Sequence, residues 1–218
     1  MAVLSDHRIA VEISEGNLYV SSLKGIDYRL PDTWPQNLQP ASVDLTLGTT
    51  VKSLNPRYLH LLSHQVAALP DGLLEYHRGM NRGGEWILAP GEWCLAATRE
   101  DIRLPNYLGA VVAGKSSLAR EGLSIENAGW VDPGWGVGSM GQDSGNPLTL
   151  EIKNLGPWMI ALTPGMVICQ IRFESLDGPC IRSYGAGVLG SHYQGSRGPV
   201  QSRRDQQPLP MFRKEDYT

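Results

Sequence analysis

Short runs of alternating polar and apolar residues, each closed by Gly or Pro, limit this chain more than any other feature. Ser42-Val43-Asp44-Leu45-Thr46-Leu47-Gly48 alternates in this way, and so does Leu148-Thr149-Leu150-Glu151-Ile152-Lys153. A period of two turns one face of a strand to a core and the other outward. The breakers recur throughout: 25 Gly and 15 Pro among 218 residues, about one and a half times the usual share. They are spread out, which suits many short strands joined by tight turns and not a disordered tract. Helical periodicity is brief, with Ser5 as a cap, Ile9 and Ile13 one turn apart and Gly16 as the stop. The reading is a single mainly β domain over residues 1–204, a distorted barrel or jelly-roll-like sandwich with short helices. Residues 205–218 read as a loose tail.

Glu85-Trp86-Ile87-Leu88-Ala89 and Trp93-Cys94-Leu95-Ala96-Ala97-Thr98 flank Pro90-Gly91 and predict a hairpin. Residues 107–113 predict a strand that runs into a brief helical turn. Residues 158–162 and 166–173 predict two more, on either side of Pro164-Gly165. Residues 50–84 have weak periodicity, and no element is assigned there.

A net charge of -3 carries no basic surplus for duplex nucleic acid or an anionic membrane. A polyanionic small ligand would need a local basic pocket. The opening MAVLSDHRIA lacks the apolar core of a signal peptide, and no apolar run reaches membrane-spanning length. Cys94, Cys169 and Cys180 are odd in number and not closely paired. They read as free thiols, with Cys94 and Cys169 buried, and a reducing cytoplasm is the expected location.

Three segments carry chemistry-bearing residues. Gly114-Lys115-Ser116-Ser117-Leu118-Ala119-Arg120 puts two hydroxyls, two cations and free N–H groups at the start of a helical turn. That pattern suits an anion, although it also suits an ordinary capped turn. It lacks the spacing of a P-loop. Val131-Asp132-Pro133-Gly134 is a turn signal or an acid held at a strand end. Glu151 shares its strand face with Thr149 and Lys153. Strand carboxylates usually face solvent, but one lining a pocket would be desolvated and suited to moving protons near neutrality. The His-x-Glu and Pro-Cys-x-x-Cys signature of zinc-dependent nucleobase deaminases is missing, and the five histidines show no metal spacing. Neither structural zinc nor zinc catalysis is expected.

In chain order, these segments resemble the dCTP deaminase family of the trimeric dUTPase-like superfamily. The resemblance runs through Gln39-Pro40-Ala41-Ser42-Val43-Asp44-Leu45, Leu88-Ala89-Pro90-Gly91-Glu92 and Gly114-Lys115-Ser116-Ser117-Leu118-Ala119-Arg120-Glu121-Gly122-Leu123. It continues through Ala128-Gly129-Trp130-Val131-Asp132-Pro133-Gly134-Trp135, Leu148-Thr149-Leu150-Glu151 and Tyr193-Gln194-Gly195-Ser196-Arg197-Gly198-Pro199. It implies a dUTPase-like homotrimer with sites between subunits, closed by the C-terminal segment. It also implies Mg2+ carried by the nucleotide triphosphate.

By position, the resemblance makes Glu151 the general acid/base that activates water for attack on cytosine C4. Ser116, Arg120 and the carbonyl of Ala128 would place that water and polarise the site. Lys115, Ser117 and Arg120 would hold phosphates, joined by Tyr184, His192, Tyr193 and Ser196. Asn127, Asp132 and Thr149 match positions around the base and sugar, and Asp132 matters where members also split the triphosphate. Ala128-Gly129 matches members that carry dCTP on to dUMP and pyrophosphate, beyond dUTP and ammonia.

The chain departs from the family at four places. Asn127 replaces a usual Thr, His192 a usual Lys and Ser196 a usual Gln. Asp132 and Glu151 lie 19 positions apart, about twice the family's gap, which predicts an inserted surface loop at about 137–147. A dUTPase-like pyrophosphatase, a deaminase of 5-substituted dCTP and a non-catalytic nucleotide-binding regulatory trimer are the competing readings.

Overall fold

The computed structural model describes residues 2–53, 84–126, 129–138, 144–187 and 189–203. Strand β1 (Ala2–Val3) leads into helix α1 (Asp6–Ser14). Ser5 caps the helix by accepting the Arg8 N–H at 3.3 Å, and Gly16 follows its end at a φ of 75°. Both match the signals in the sequence. Next come β2 (Tyr19–Val20), β3 (Leu38–Gln39), β4 (Ser42–Ser53), β5 (Trp86–Leu88), β6 (Trp93–Thr98), β7 (Ile102–Arg103) and β8 (Leu108–Gly114). A one-turn helix α2 (Ser116–Arg120) precedes β9 (Leu123–Glu126). The last strands are β10 (Thr149–Asn154), β11 (Ile160–Leu162) and β12 (Val167–Ser175).

The strands pair antiparallel in one large sheet and two small ones. The large sheet runs β1–β12–β4–β6–β10–β9, with β3 added to β4 and β8 to β12. It curls into a half-barrel because β4 serves both sides. The first part of β4 pairs with β12 and the rest with β6, with a register shift between Leu47 and Val51. Such a bulge bends a strand and turns the corner of a barrel. Gly48 sits in it, where a Cβ would stand 2.9 Å from the Ala97 carbonyl oxygen.

Inward side chains of this sheet, among them Leu45, Leu47, Leu150, Ile152, Ile171 and Phe173, are buried in one core with Ile9 and Leu108. Each large apolar side chain so buried stabilises the fold by about 1.5–3 kcal/mol. Several buried polar groups are matched. The Tyr107 hydroxyl donates to Glu12 at 2.7 Å, and Glu100 accepts from the Thr46 N–H and hydroxyl. Cys94 and Cys169 are free and buried, and Cys180 is half-buried.

One local expectation is corrected. Pro90-Gly91 does make a turn, but β5 and β6 do not form a hairpin: β5 pairs with β11, whereas β6 lies between β4 and β10. The chain crosses between sheets here because the end of β10 holds the turn. The Gly91 N–H donates to the Asn154 carbonyl at 2.8 Å, and the Asn154 N–H donates to the Glu92 carbonyl at 3.1 Å. The Asn154 amide also donates to the carbonyls of Leu88 and Trp158. At the edge of the expected inserted loop, Val137 and Gly138 are exposed. Asn146 is buried and bridged to Ile102, and a Cβ at Gly145 would strike the Ile102 backbone at 2.8 Å. Most of the unassigned stretch 50–84, residues 139–143 and the tail lie outside the described residues.

Candidate active site

Strand β10 builds the site by simple alternation. Leu150 and Ile152 point into the core, so Thr149 and Glu151 point the other way, beside Ala97 and Leu95 of β6. There they line a cleft of about 470 Å³ together with Asp132, Tyr184 and Tyr193. Trp93, Trp130 and Trp135 add aromatic walls. Glu151 is half-buried, and its Oε2 is shielded from solvent. Planar apolar walls with a few converging polar groups suit a flat heterocycle whose edge must be read.

Asp132 reaches the cleft through a single β-bridge. Val131 and Ala110 exchange backbone hydrogen bonds at 2.7 and 3.0 Å. Val131 is thereby turned inward, and its neighbours Trp130 and Asp132 turn outward on one face. The Trp130 indole N–H donates to Asp132 Oδ1 at 3.0 Å.

Residues 184–187 and 189–203 fold across the cleft as a strap. The Gln194 amide donates to the carbonyls of Gly134 and Val137 at 2.9 and 2.7 Å, and its oxygen accepts the Gly136 N–H at 3.1 Å. The Val200 N–H donates to the Thr149 hydroxyl at 3.4 Å. Tyr184 packs against Trp135 with ring centroids 5.4 Å apart, and its hydroxyl accepts the Tyr193 N–H at 3.1 Å. Burial is the main reason the Tyr184 phenol lies above its ordinary range. Arg203 stands over the Tyr193 ring and donates to the His192 carbonyl.

The expected residues fall into three groups. Glu151, Asp132, Thr149, Tyr184 and Tyr193 come together in the cleft. Lys115, Ser116, Ser117 and Arg120 do not line it, and neither do His192 and Ser196. Lys115 instead pairs with Asp44 at 2.7 Å, while Ser116, Ser117 and Arg120 are exposed on α2. His192 rests against Tyr193, and the buried Ser196 hydroxyl has no partner among the described residues. Asn127 and Ala128 lie outside the described residues.

Trp93, Trp130, Trp135 and Gln194 were not singled out from the sequence. The tryptophans carry no pattern of their own, and Gln194 stood inside a quoted motif without a role. Among the described residues, no group of three or more His, Cys, Asp or Glu side chains could hold a metal ion. No helix there is long and apolar enough to cross a membrane.

Comparison with known proteins bears on this geometry. Residues 3–176 match the family model described as dCTP deaminase-like. The dCTP deaminase of Halorubrum lacusprofundi is 38% identical over 207 residues, which cover 94% of this chain and 93% of that protein. The dUMP-forming dCTP deaminase of Coprothermobacter proteolyticus is 41% identical over 175 residues, 76% of this chain and 82% of that protein. Among solved structures, the 2'-deoxycytidine 5'-triphosphate deaminase of Agrobacterium tumefaciens shares the fold at a TM-score of 0.52 and 22% identity. That likeness covers 80% of this chain and 48% of the other, so the chain spans about half the length of that protein.

Proposed function

The chain belongs to the dCTP deaminase-like family, and on that footing we propose that it deaminates dCTP with water to give dUTP and ammonia. The observation that carries this reading is Glu151, half-buried in an aromatic cleft beside Asp132 and Thr149. Glu151 takes a proton from water as the oxygen bonds to cytosine C4. Glu151 passes that proton to N3, then takes the remaining proton from the C4 hydroxyl and delivers it to the amino nitrogen as the C4–N4 bond breaks and the C4 carbonyl forms. One water is consumed and one ammonia leaves. The Ala128-Gly129 pair and the 41% identity to a dUMP-forming relative favour a second step in the same cleft. In it, a further water splits the phosphoanhydride bond and leaves dUMP and pyrophosphate. Magnesium enters with the triphosphate, as part of the substrate.

Among the described residues, none that lines the cleft of one chain is a cation for that triphosphate. The exposed Arg120 supplies it in a trimer, beside the Ser116 and Ser117 hydroxyls, where α2 of one subunit meets the cleft of the next. The surroundings of α2 support this arrangement. The turn after β10 packs on its C-terminal end, with the Trp158 indole donating to the Glu121 carbonyl at 2.8 Å. Trp158 and Met159 nevertheless remain 53% and 70% exposed. Large apolar side chains left open beside polar functional groups mark an interaction surface.

The test incubates the purified protein with dCTP and magnesium, then measures ammonia, dUTP and dUMP. Glu151→Gln keeps the shape and loses the proton acceptor. It is expected to lower ammonia release by about two to four orders of magnitude while nucleotide binding persists. Ammonia release near the parent rate would remove the assignment.

A further inference from the structure

Trp130 occupies a slot that only glycine leaves open. The bridge between Ala110 and Val131 sets the chain from Trp130 to Asp132 alongside β8. The indole lies diagonally across Gly109, where a Cβ would come within 2.0 Å of Trp130 Cζ2. Real side chains never approach so closely, so any other residue at position 109 displaces the ring. Gly109 is not at positive φ. Its missing side chain therefore serves close approach and not backbone conformation. Held in the slot, the indole N–H points at Asp132 Oδ1, 3.0 Å away. Among the described residues, this is the only hydrogen bond to the Asp132 side chain. Asp132 is otherwise exposed at the cleft, where a flexible carboxylate would sample several rotamers.

We propose that Trp130 is a positioning residue: seated on Gly109, it fixes the Asp132 carboxylate in the orientation that meets the nucleotide. The proposal rests on the reading of Asp132 as a substrate-contacting residue. The indole N–H can donate and never accept. It therefore selects a carboxylate oxygen and leaves the other for the sugar or for a water. Phe at position 130 would fill the slot equally well and orient nothing.

A double-mutant cycle tests this. Trp130→Phe, Asp132→Asn and the pair are compared for KM and kcat on dCTP, for the dUMP to dUTP ratio, and for magnesium–dUTP affinity. Thermal unfolding checks that each variant folds. Trp130→Phe is expected to lose about tenfold in the parameter that Asp132→Asn impairs, as for a hydrogen bond to a charged group. The pair should be no worse than Asp132→Asn alone. Gly109→Ala, which retains both residues, should reproduce the Trp130→Phe profile.

Multiplicative effects, or a Trp130→Phe protein with parental parameters, would overturn the positioning role and leave Asp132's role intact. A parental Asp132→Asn protein would instead overturn the reading on which the proposal rests. Should the parent bind nucleotide and release no ammonia, the proposed reaction fails, and the same cycle is decided on affinity alone.

Discussion

Replacing Asn154 by Ala removes the side chain that joins two sheets at the end of β10, the strand that carries Glu151. Its amide nitrogen donates to the Leu88 carbonyl at 3.0 Å and to the Trp158 carbonyl at 2.7 Å, and its oxygen accepts the Gly156 N–H at 2.9 Å. The residue is fully buried, so water cannot replace these partners. Three hydrogen bonds at about 1 kcal/mol each give a loss of about 3 kcal/mol. For a chain of this size, that lowers Tm by about 6–12 °C.

Asn154→Asp makes a sharper case, because it keeps the acceptor but sets a carboxylate against two carbonyl oxygens. Near neutrality its loss should exceed that of Ala. Burial raises such a carboxyl above its unfolded value, so the protonated form is favoured by folding. The variant should therefore regain stability relative to the parent as pH falls. Thermal unfolding followed by circular dichroism at several pH values measures both effects. A fall in Tm below about 3 °C for Asn154→Ala would refute the node, and with it the explanation of why β5 and β6 part company.

Two other outcomes are expected. If Arg120 reaches the cleft of a neighbouring subunit, Glu151→Gln and Arg120→Ala proteins, each inactive alone, should regain up to about a quarter of parental ammonia release when refolded together. No recovery despite confirmed mixing would place Arg120 in the same subunit as the carboxylate it serves. Burial pushes the Cys94 and Cys169 thiols up to about 12, so a disulfide reagent at pH 8 should titrate Cys180 alone until the protein unfolds. Both buried thiols lie above their unfolded value. The stability they contribute is thus fully present below about pH 8.5 and lost as pH rises toward 12. Three fast thiols in the native protein would contradict their burial.

What could be read in advance depended on whether a signal was local or spatial. The strands around Leu45 and Leu150 were legible because a period of two survives in the sequence however the strand is later paired. Pro90-Gly91 misled because a turn residue reports that the chain turns, and not which strand waits on the far side. The partner was set by Asn154, some sixty positions away. For the site, the same division holds. Glu151 and Asp132 could be named because they fall at matching positions of the family resemblance; taken alone, they read as a strand carboxylate facing solvent and a turn residue. The Gly109 slot could not be, since a missing Cβ acquires meaning only when an indole lies across it. Gln194 is a similar case, a neutral side chain whose three hydrogen bonds latch the strap to the 134–137 turn.

The Ser116–Arg120 turn shows the limit from the other direction. Its residue types announce an anion site, yet in one chain they stand exposed and apart from the cleft. Folding a single copy buries the alternation and satisfies the backbone, and nothing in those terms requires the cations to meet the carboxylate. In the proposed trimer their meeting depends on association, for which the apolar surface left open around Trp158 and Met159 is the proposed contact. A charge there, such as Met159→Glu, acts on assembly and not on the core. It should therefore abolish ammonia release while leaving the Asp132 and Glu151 cleft folded.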